Sequence, residues 1–227
     1  MGIHARFEYP VKGRGLPAMK RTGRYLLGPA IVYLLYCLTA GQPAPAKDEW
    51  LPIPPEDLAL KDNPASPGAD AMILYRESAI DGQQAAFHEY VRIKIFTTEG
   101  TRHGDVEVRF FKGADNIEDI RARTIHPDGS IVNFEGQAFE KEVVKASGYK
   151  FLAKTFTLPD VQPGSIIEYK FRDQYDTHYS FLNFTWYISN YLFMREGHFS
   201  IKPNPYAFYG FSFRQYGLGP GQLPQQT

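Results

Sequence analysis

The sequence predicts an all-β protein, an antiparallel two-sheet β-sandwich preceded by a Pro-rich N-terminal arm and a signal helix. Two observations lead there. Beyond residue 60 the apolar residues recur with period two, the spacing of a pleated strand with one buried face. The periodic runs are also short and are separated by Gly and Pro turns, the pattern of a sandwich.

The elements follow in order. Residues 47–69 carry Pro52, Pro54, Pro55, Pro64 and Pro67. Proline lacks an N–H and holds its predecessor extended, so this stretch reads as a linker or an edge-hugging arm. Glu56-Asp57-Leu58-Ala59-Leu60 fits one helical turn after Pro55. Ala71–Glu77 reads as a strand. In Glu89–Thr97, Val91, Ile93, Ile95 and Thr97 share one face and Tyr90, Arg92, Lys94 and Phe96 the other, a half-buried strand. Gly104–Phe111 alternates in the same way, and the two runs read as a hairpin. Ile117–His126 is extended and closes at Pro127-Asp128-Gly129, a turn sequence. Ser130–Phe134, Phe139–Val144, Phe151–Leu158, Ser165–Tyr175, Phe184–Ser189 and Gly197–Pro203 complete the strands. The residues from Gly210 to Thr227, rich in Gly, Pro and Gln, read as disordered, and the tail is set at 206–227.

The first 46 residues read as a leader. Lys20, Arg21 and Arg24 precede an uncharged, mostly apolar run from Tyr25 to Ala40. Ala44-Pro45-Ala46 then supplies the small residues that signal peptidase needs. Cleavage is expected after Ala46, and Met19 is the expected start, since Met1–Ala18 is polar and shows no pattern. The alternative is an inner-membrane anchor through residues 25–40, but that run is short for a span and holds Pro29. No stable membrane span is expected after cleavage, and the location is periplasmic or extracellular. Cys37, the chain's one cysteine, lies in this leader behind Leu34-Leu35-Tyr36, a poor lipobox. A cleaved chain would have no thiol, hence neither a disulfide nor a cysteine nucleophile.

The chain as a whole has 25 basic and 25 acidic side chains. Residues 1–46 hold six of the basic ones and one acidic, so the remaining 181 residues carry a net charge of −5. A mildly acidic domain without basic clusters argues against nucleic acid as partner.

Four pieces stand in order along this region: Asp70-Ala71-Met72-Ile73-Leu74-Tyr75, Thr124-Ile125-His126-Pro127-Asp128-Gly129-Ser130, Lys154-Thr155-Phe156, and Leu158-Pro159-Asp160-Val161 leading into Gly164-Ser165-Ile166-Ile167-Glu168-Tyr169. In that order they resemble the domain of unknown function 3857, a bacterial envelope domain, over roughly Asp70–Pro205. The resemblance implies a β-sandwich followed by a transglutaminase-like domain with a Cys-His-Asp triad. The sequence reaches Thr227 soon after the matching region. It is therefore expected to be truncated, a stand-alone version, or the companion of a separate catalytic chain. None of the family's catalytic positions falls within it.

The residues themselves suggest no catalytic, cofactor or metal site. There is no Gly-x-Ser-x-Gly elbow, and His88, His103, His126, His178 and His198 are scattered. Asp173, Asp176 and His178 offer oxygen and imidazole ligands but meet no standard spacing, and read as a polar loop. Aromatics are in excess between Tyr175 and Phe213. Within that excess, Trp186, Tyr187, Tyr206, Phe208, Tyr209 and Phe211 are the candidate interaction surface. The expected role is a non-catalytic accessory module whose partner is a transglutaminase-like domain or another envelope protein. The alternatives are a module for cell-wall glycan or peptidoglycan and an N-terminal fragment of a cysteine enzyme.

Overall fold

The computed structural model describes residues 3–7, 50–146, 149–176, 186–187 and 192–204, with the backbone alone at 3–7, 144–146 and 149–150. Two compact units divide the chain: 1–10 with 54–227, and 11–53. Of the second, only Trp50–Ile53 are described, without regular structure. The predicted signal helix, the strand predicted at Phe184–Ser189 apart from Trp186 and Tyr187, and the tail at 206–227 lie outside the described residues.

The strands are β1 (Ile3–Phe7), β2 (Ala71–Asp81), β3 (Ala86–Ile95), β4 (Asp105–Phe111), β5 (Asp115–Ile125), β6 (Ile131–Asn133), β7 (Phe139–Ala146), β8 (Tyr149–Thr157), β9 (Ile166–Tyr175) and β10 (Gly197–Lys202). Among the described residues, the one α-helical turn, α1 (Pro55–Ala59), lies where the sequence places it. Seven strands form a sheet in the order β1-β10-β2-β3-β9-β5-β6, and three form a second in the order β4-β8-β7. The all-β, two-sheet prediction holds. The larger sheet is mixed, however, because β10 runs parallel to both β1 and β2. Strand β1 also corrects the reading of Met1–Ala18 as patternless: five residues, Ile-His-Ala-Arg-Phe, are too few for alternation to stand out.

A second correction concerns the predicted hairpin. Strands β3 and β4 belong to different sheets, and β4 pairs with β8. A 3-10 turn at Glu99–Gly104 carries the chain across. Its Gly100 sits so close to the residue preceding β2 that a Cβ there would lie 2.2 Å from the Asp70 carbonyl oxygen. Only glycine allows that approach.

The core lies between the sheets. Val91, Ile93 and Ile95 of β3, Ile167 of β9 and Ala122 of β5 meet Val106 of β4 and Phe156 of β8. Bulges reset the alternation. Strand β5 shifts register between Glu118 and Arg121, where Asp119 takes a φ of 53°. Ile117 and Ile120 therefore both pack inward despite their odd spacing.

The opposite face of the large sheet is covered too, which corrects the half-buried reading of β3. Tyr90 is 9%, Arg92 4% and Lys94 0% exposed. Glu168, fully buried on β9, accepts from Arg92 Nε at 2.6 Å, from Arg123 Nε at 2.6 Å and from the Tyr90 hydroxyl. The Pro-rich arm straps down the same region. Lys94 Nζ donates to Leu58 O at 2.9 Å and to Gly164 O at 2.7 Å. Asp57 of α1, 1% exposed, takes both guanidinium arms of Arg195 at 2.6 and 2.9 Å. Burial pushes the Lys94 ammonium down to about 8.

Removing Glu168 would take the carboxylate away from the buried Arg92 and the partly buried Arg123. Glu168→Ala is expected to cost about 3–5 kcal/mol of unfolding free energy, measured by urea denaturation. A loss below about 1 kcal/mol, the range of an exposed pair, would show that the carboxylate is not a buried bracket.

Candidate functional site

Beyond the reach of the small sheet, the large sheet's inner face carries a polar and aromatic cluster. Pairing sets it out. Arg76 stands opposite Val91, a core residue, and Ser78 stands opposite Glu89. Gly197, Phe199 and Ile201 of β10 stand opposite Arg76, Ser78 and Ile80. The register shift after Ile73 brings the even-numbered residues of β2 onto this face.

Arg76 is the hub. Its Nε donates to Glu89 Oε1 at 2.5 Å, its Nη1 donates to the Tyr187 carbonyl at 3.0 Å, and its guanidinium carbon lies 5.7 Å from the Trp186 ring centroid. Glu89 also accepts from Ser78 Oγ at 2.6 Å. Burial raises the Glu89 carboxyl, and Arg76 and Ser78 partly counter that. Trp186 stacks on Phe199, with centroids 5.2 Å apart and an interplanar angle of 15°. A Cβ on Gly197 would lie 2.7 Å from Met194 Cε and 3.3 Å from the Trp186 ring. The backbone before β10 clips onto β2, with Ile73 N donating to Phe193 O at 2.9 Å.

The predicted surface residues divide accordingly. Trp186 is a packing residue: its ring engages Phe199 and Arg76, and its buried Nε1 finds no acceptor among the described residues. Tyr187 is 69% exposed, and Phe193 is exposed as well. Tyr206, Phe208, Tyr209 and Phe211 lie outside the described residues. Phe193 belongs to the predicted aromatic excess between Tyr175 and Phe213, whereas Arg76, Ser78 and Glu89 are not among the residues the sequence reading singles out. An Arg and a Glu thirteen residues apart become neighbours only through strand pairing.

A second cluster lies near the β4–β5 turn. A recess of about 430 Å³ is lined by Phe110, Asp115, Asn116, Glu140, Leu152 and Tyr175, among others. Asp173 falls within the predicted strand Ser165–Tyr175 and not in the polar loop also read for Asp173, Asp176 and His178. It lies in β9, 7% exposed, on the same side as Ile167 and Phe171. Its Oδ1 has no partner among the described residues. Burial, and then the neighbouring Asp115, push its carboxyl up to about 7. Among the described residues no group of three His, Cys, Asp or Glu gathers to hold a metal, and His178 lies outside them. His126 and His198 contact Gln162 and Glu196 respectively, and His103 faces Asp70 at 3.7 Å.

Fold and site together define a β-sandwich domain with an arginine-centred aromatic patch at one edge. Residues 81–207 match the family model Domain of Unknown Function with solved-structure structure (DUF3857). The chain belongs to that family. No curated protein matches it. Among solved structures, a candidate protease from Parabacteroides distasonis ATCC 8503 is similar at 13% identity and a TM-score of 0.40, over 47% of this chain and 23% of that one. The chain thus spans under a quarter of that protein. The family 3a carbohydrate-binding module from the cipA scaffolding of Clostridium thermocellum is similar at 12% identity and a TM-score of 0.28, over 47% and 76%.

Two outcomes follow from the buried carboxylates. Asp173 holds its proton more tightly folded, at about 7, than at its ordinary 3.8. The stability this contributes is full below about pH 4 and lost as pH rises through 7. Asp173→Asn should flatten the fall in melting temperature between pH 4 and 8 and raise it at pH 8; an unchanged pH profile would contradict this. Arg76→Ala leaves Glu89 buried without its cation. It should cost about 2–4 kcal/mol at pH 8 and less at pH 5, where Glu89 protonates more readily. Equal losses at both pH values would count against it.

Proposed function

We propose that this chain is an exported, non-catalytic interaction module of the bacterial envelope, docking a transglutaminase-like domain or another envelope protein. One observation carries the reading: Tyr187 is 69% exposed while its backbone is held by Arg76. Exposed aromatics on a fixed backbone lose little conformational freedom on binding, which makes them efficient anchors. Phe193, 38% exposed and clipped to β2, extends the same edge. Among the described residues no helix is long and apolar enough to cross a membrane. Export rests on the leader sequence.

The glycan-binding alternative needs a flat ring open to solvent. Trp186 is already stacked against Phe199, so that role would fall to Tyr187.

The purified chain is expected to show no amide hydrolysis or amide transfer on peptide and glutamine substrates. Turnover abolished by a single substitution would overturn the non-catalytic reading. In a sedimentation assay with insoluble cell-wall polysaccharide, the parent chain should stay in the supernatant. Retention that Tyr187→Ala abolishes would replace the protein-docking reading with the glycan one.

A further inference from the structure

The outer edge of β10 presents a row of backbone N–H and C=O groups that must pair or face water. The chain fills that edge with its own Ile3–Phe7, in parallel register: Ile3 opposite Gly197, Ala5 opposite Phe199 and Phe7 opposite Ile201. Three features make this strand a separable one. It is five residues long and, among the described residues, has β10 as its sole strand neighbour. Residues 11–53, the only covalent link between the strand and the rest of the sandwich, form a unit of their own. The cleavage site expected from the sequence, after Ala46, falls within that link.

The acceptor side is built to be filled. Ile201 and Ile80 form a small apolar cluster at this edge with Phe87 and Phe199. Phe199 is backed by the Trp186 ring. The backbone register sets Ala5 and Phe7 of the donor opposite Phe199 and Ile201 of that cluster.

We propose that the β10 edge is a strand-acceptor site that Ile3–Phe7 keeps closed. Cutting the chain between residues 8 and 53 opens it to an extended peptide segment of a partner protein. That segment runs parallel to β10, carries apolar residues opposite Phe199 and Ile201, and has no proline at a pairing position. While the donor is tethered, its local concentration far exceeds that of a free competitor, and cleavage removes the advantage. Main-chain pairing then supplies affinity and the alternate apolar positions supply selectivity. This inference requires a chain translated from Met1 in place of the Met19 expected from the sequence, and it rests on the protein-docking reading above; its test reads strand exchange, separately from turnover and from glycan binding.

The test uses the full chain with a specific protease site inserted after Ala46. Hydrogen exchange at the amides of 197–202 is followed together with binding of a labelled peptide covering Met1–Pro10. The intact chain should protect β10 and take up no peptide. After cleavage and removal of the N-terminal fragment, β10 should exchange at least about tenfold faster, and the peptide should restore protection. A peptide with proline at both Ala5 and Arg6 should not, because successive N–H groups point to opposite sides of a strand and one of the two must face β10.

If the cleaved domain unfolds, the intact chain carrying Ala5→Pro with Arg6→Pro serves instead. It should expose β10 alone and bind the peptide without cleavage. Unchanged β10 protection in that variant, equal peptide uptake by intact and cleaved chains, or equal binding of the proline peptide would overturn the proposal. So would a dimer that exchanges Ile3–Phe7 between two copies and persists after cleavage.

Discussion

A single buried carboxylate organises the middle of this protein. Glu168 reaches Arg92 on the neighbouring strand β3 and Arg123 on the other neighbour, β5, each at 2.6 Å, and also accepts from Tyr90. It thereby ties together, through side chains, three strands that backbone pairing already joins. Two guanidinium groups on a sheet face would ordinarily demand water. Once Glu168 answers them, that face can be covered, and the Pro-rich arm covers it. Lys94 then has to find carbonyls, at Leu58 and Gly164, and Arg195 finds Asp57. The arm is therefore a structural part of the sandwich.

The same logic recurs at the edge of the sheet. Where the three-stranded sheet no longer covers the larger one, Arg76 takes over by pairing with Glu89 and lying against Trp186. The aromatic patch is thus divided between rings that pack and rings that face solvent. Trp186 and Phe199 close the sheet, while Tyr187 and Phe193 are presented outward. Arg76 holds the backbone at Tyr187, and Ile73 of β2 holds it at Phe193.

Much of this architecture was legible in the sequence. The period-two runs located β2 through β10, and the single helical turn after Pro55 fell where Pro and acidic residues favour one. What the alternation could not carry was partnership. Glu99–Gly104 connects β3 to a strand in the other sheet, a choice made by tertiary packing around Gly100. The polar face of β3 looked solvated because Tyr90, Arg92 and Lys94 are polar, and their partners, Glu168 and Leu58, lie far along the chain. Trp186 and Tyr187 were visible as aromatics, but only the register of β2 and β10 tells the packed ring from the exposed one. Strand β1 was too short to recognise without β10 beside it.

The central claim is that Glu168 and its arginines act as one buried unit joining β3, β9 and β5. A double-mutant cycle on Glu168→Gln and Arg92→Met, read by chemical denaturation, tests it most directly. The account predicts strong coupling, with the double variant more stable than the sum of single losses by about 1.5–3 kcal/mol. Additive losses, with coupling below about 0.3–0.5 kcal/mol, would contradict it.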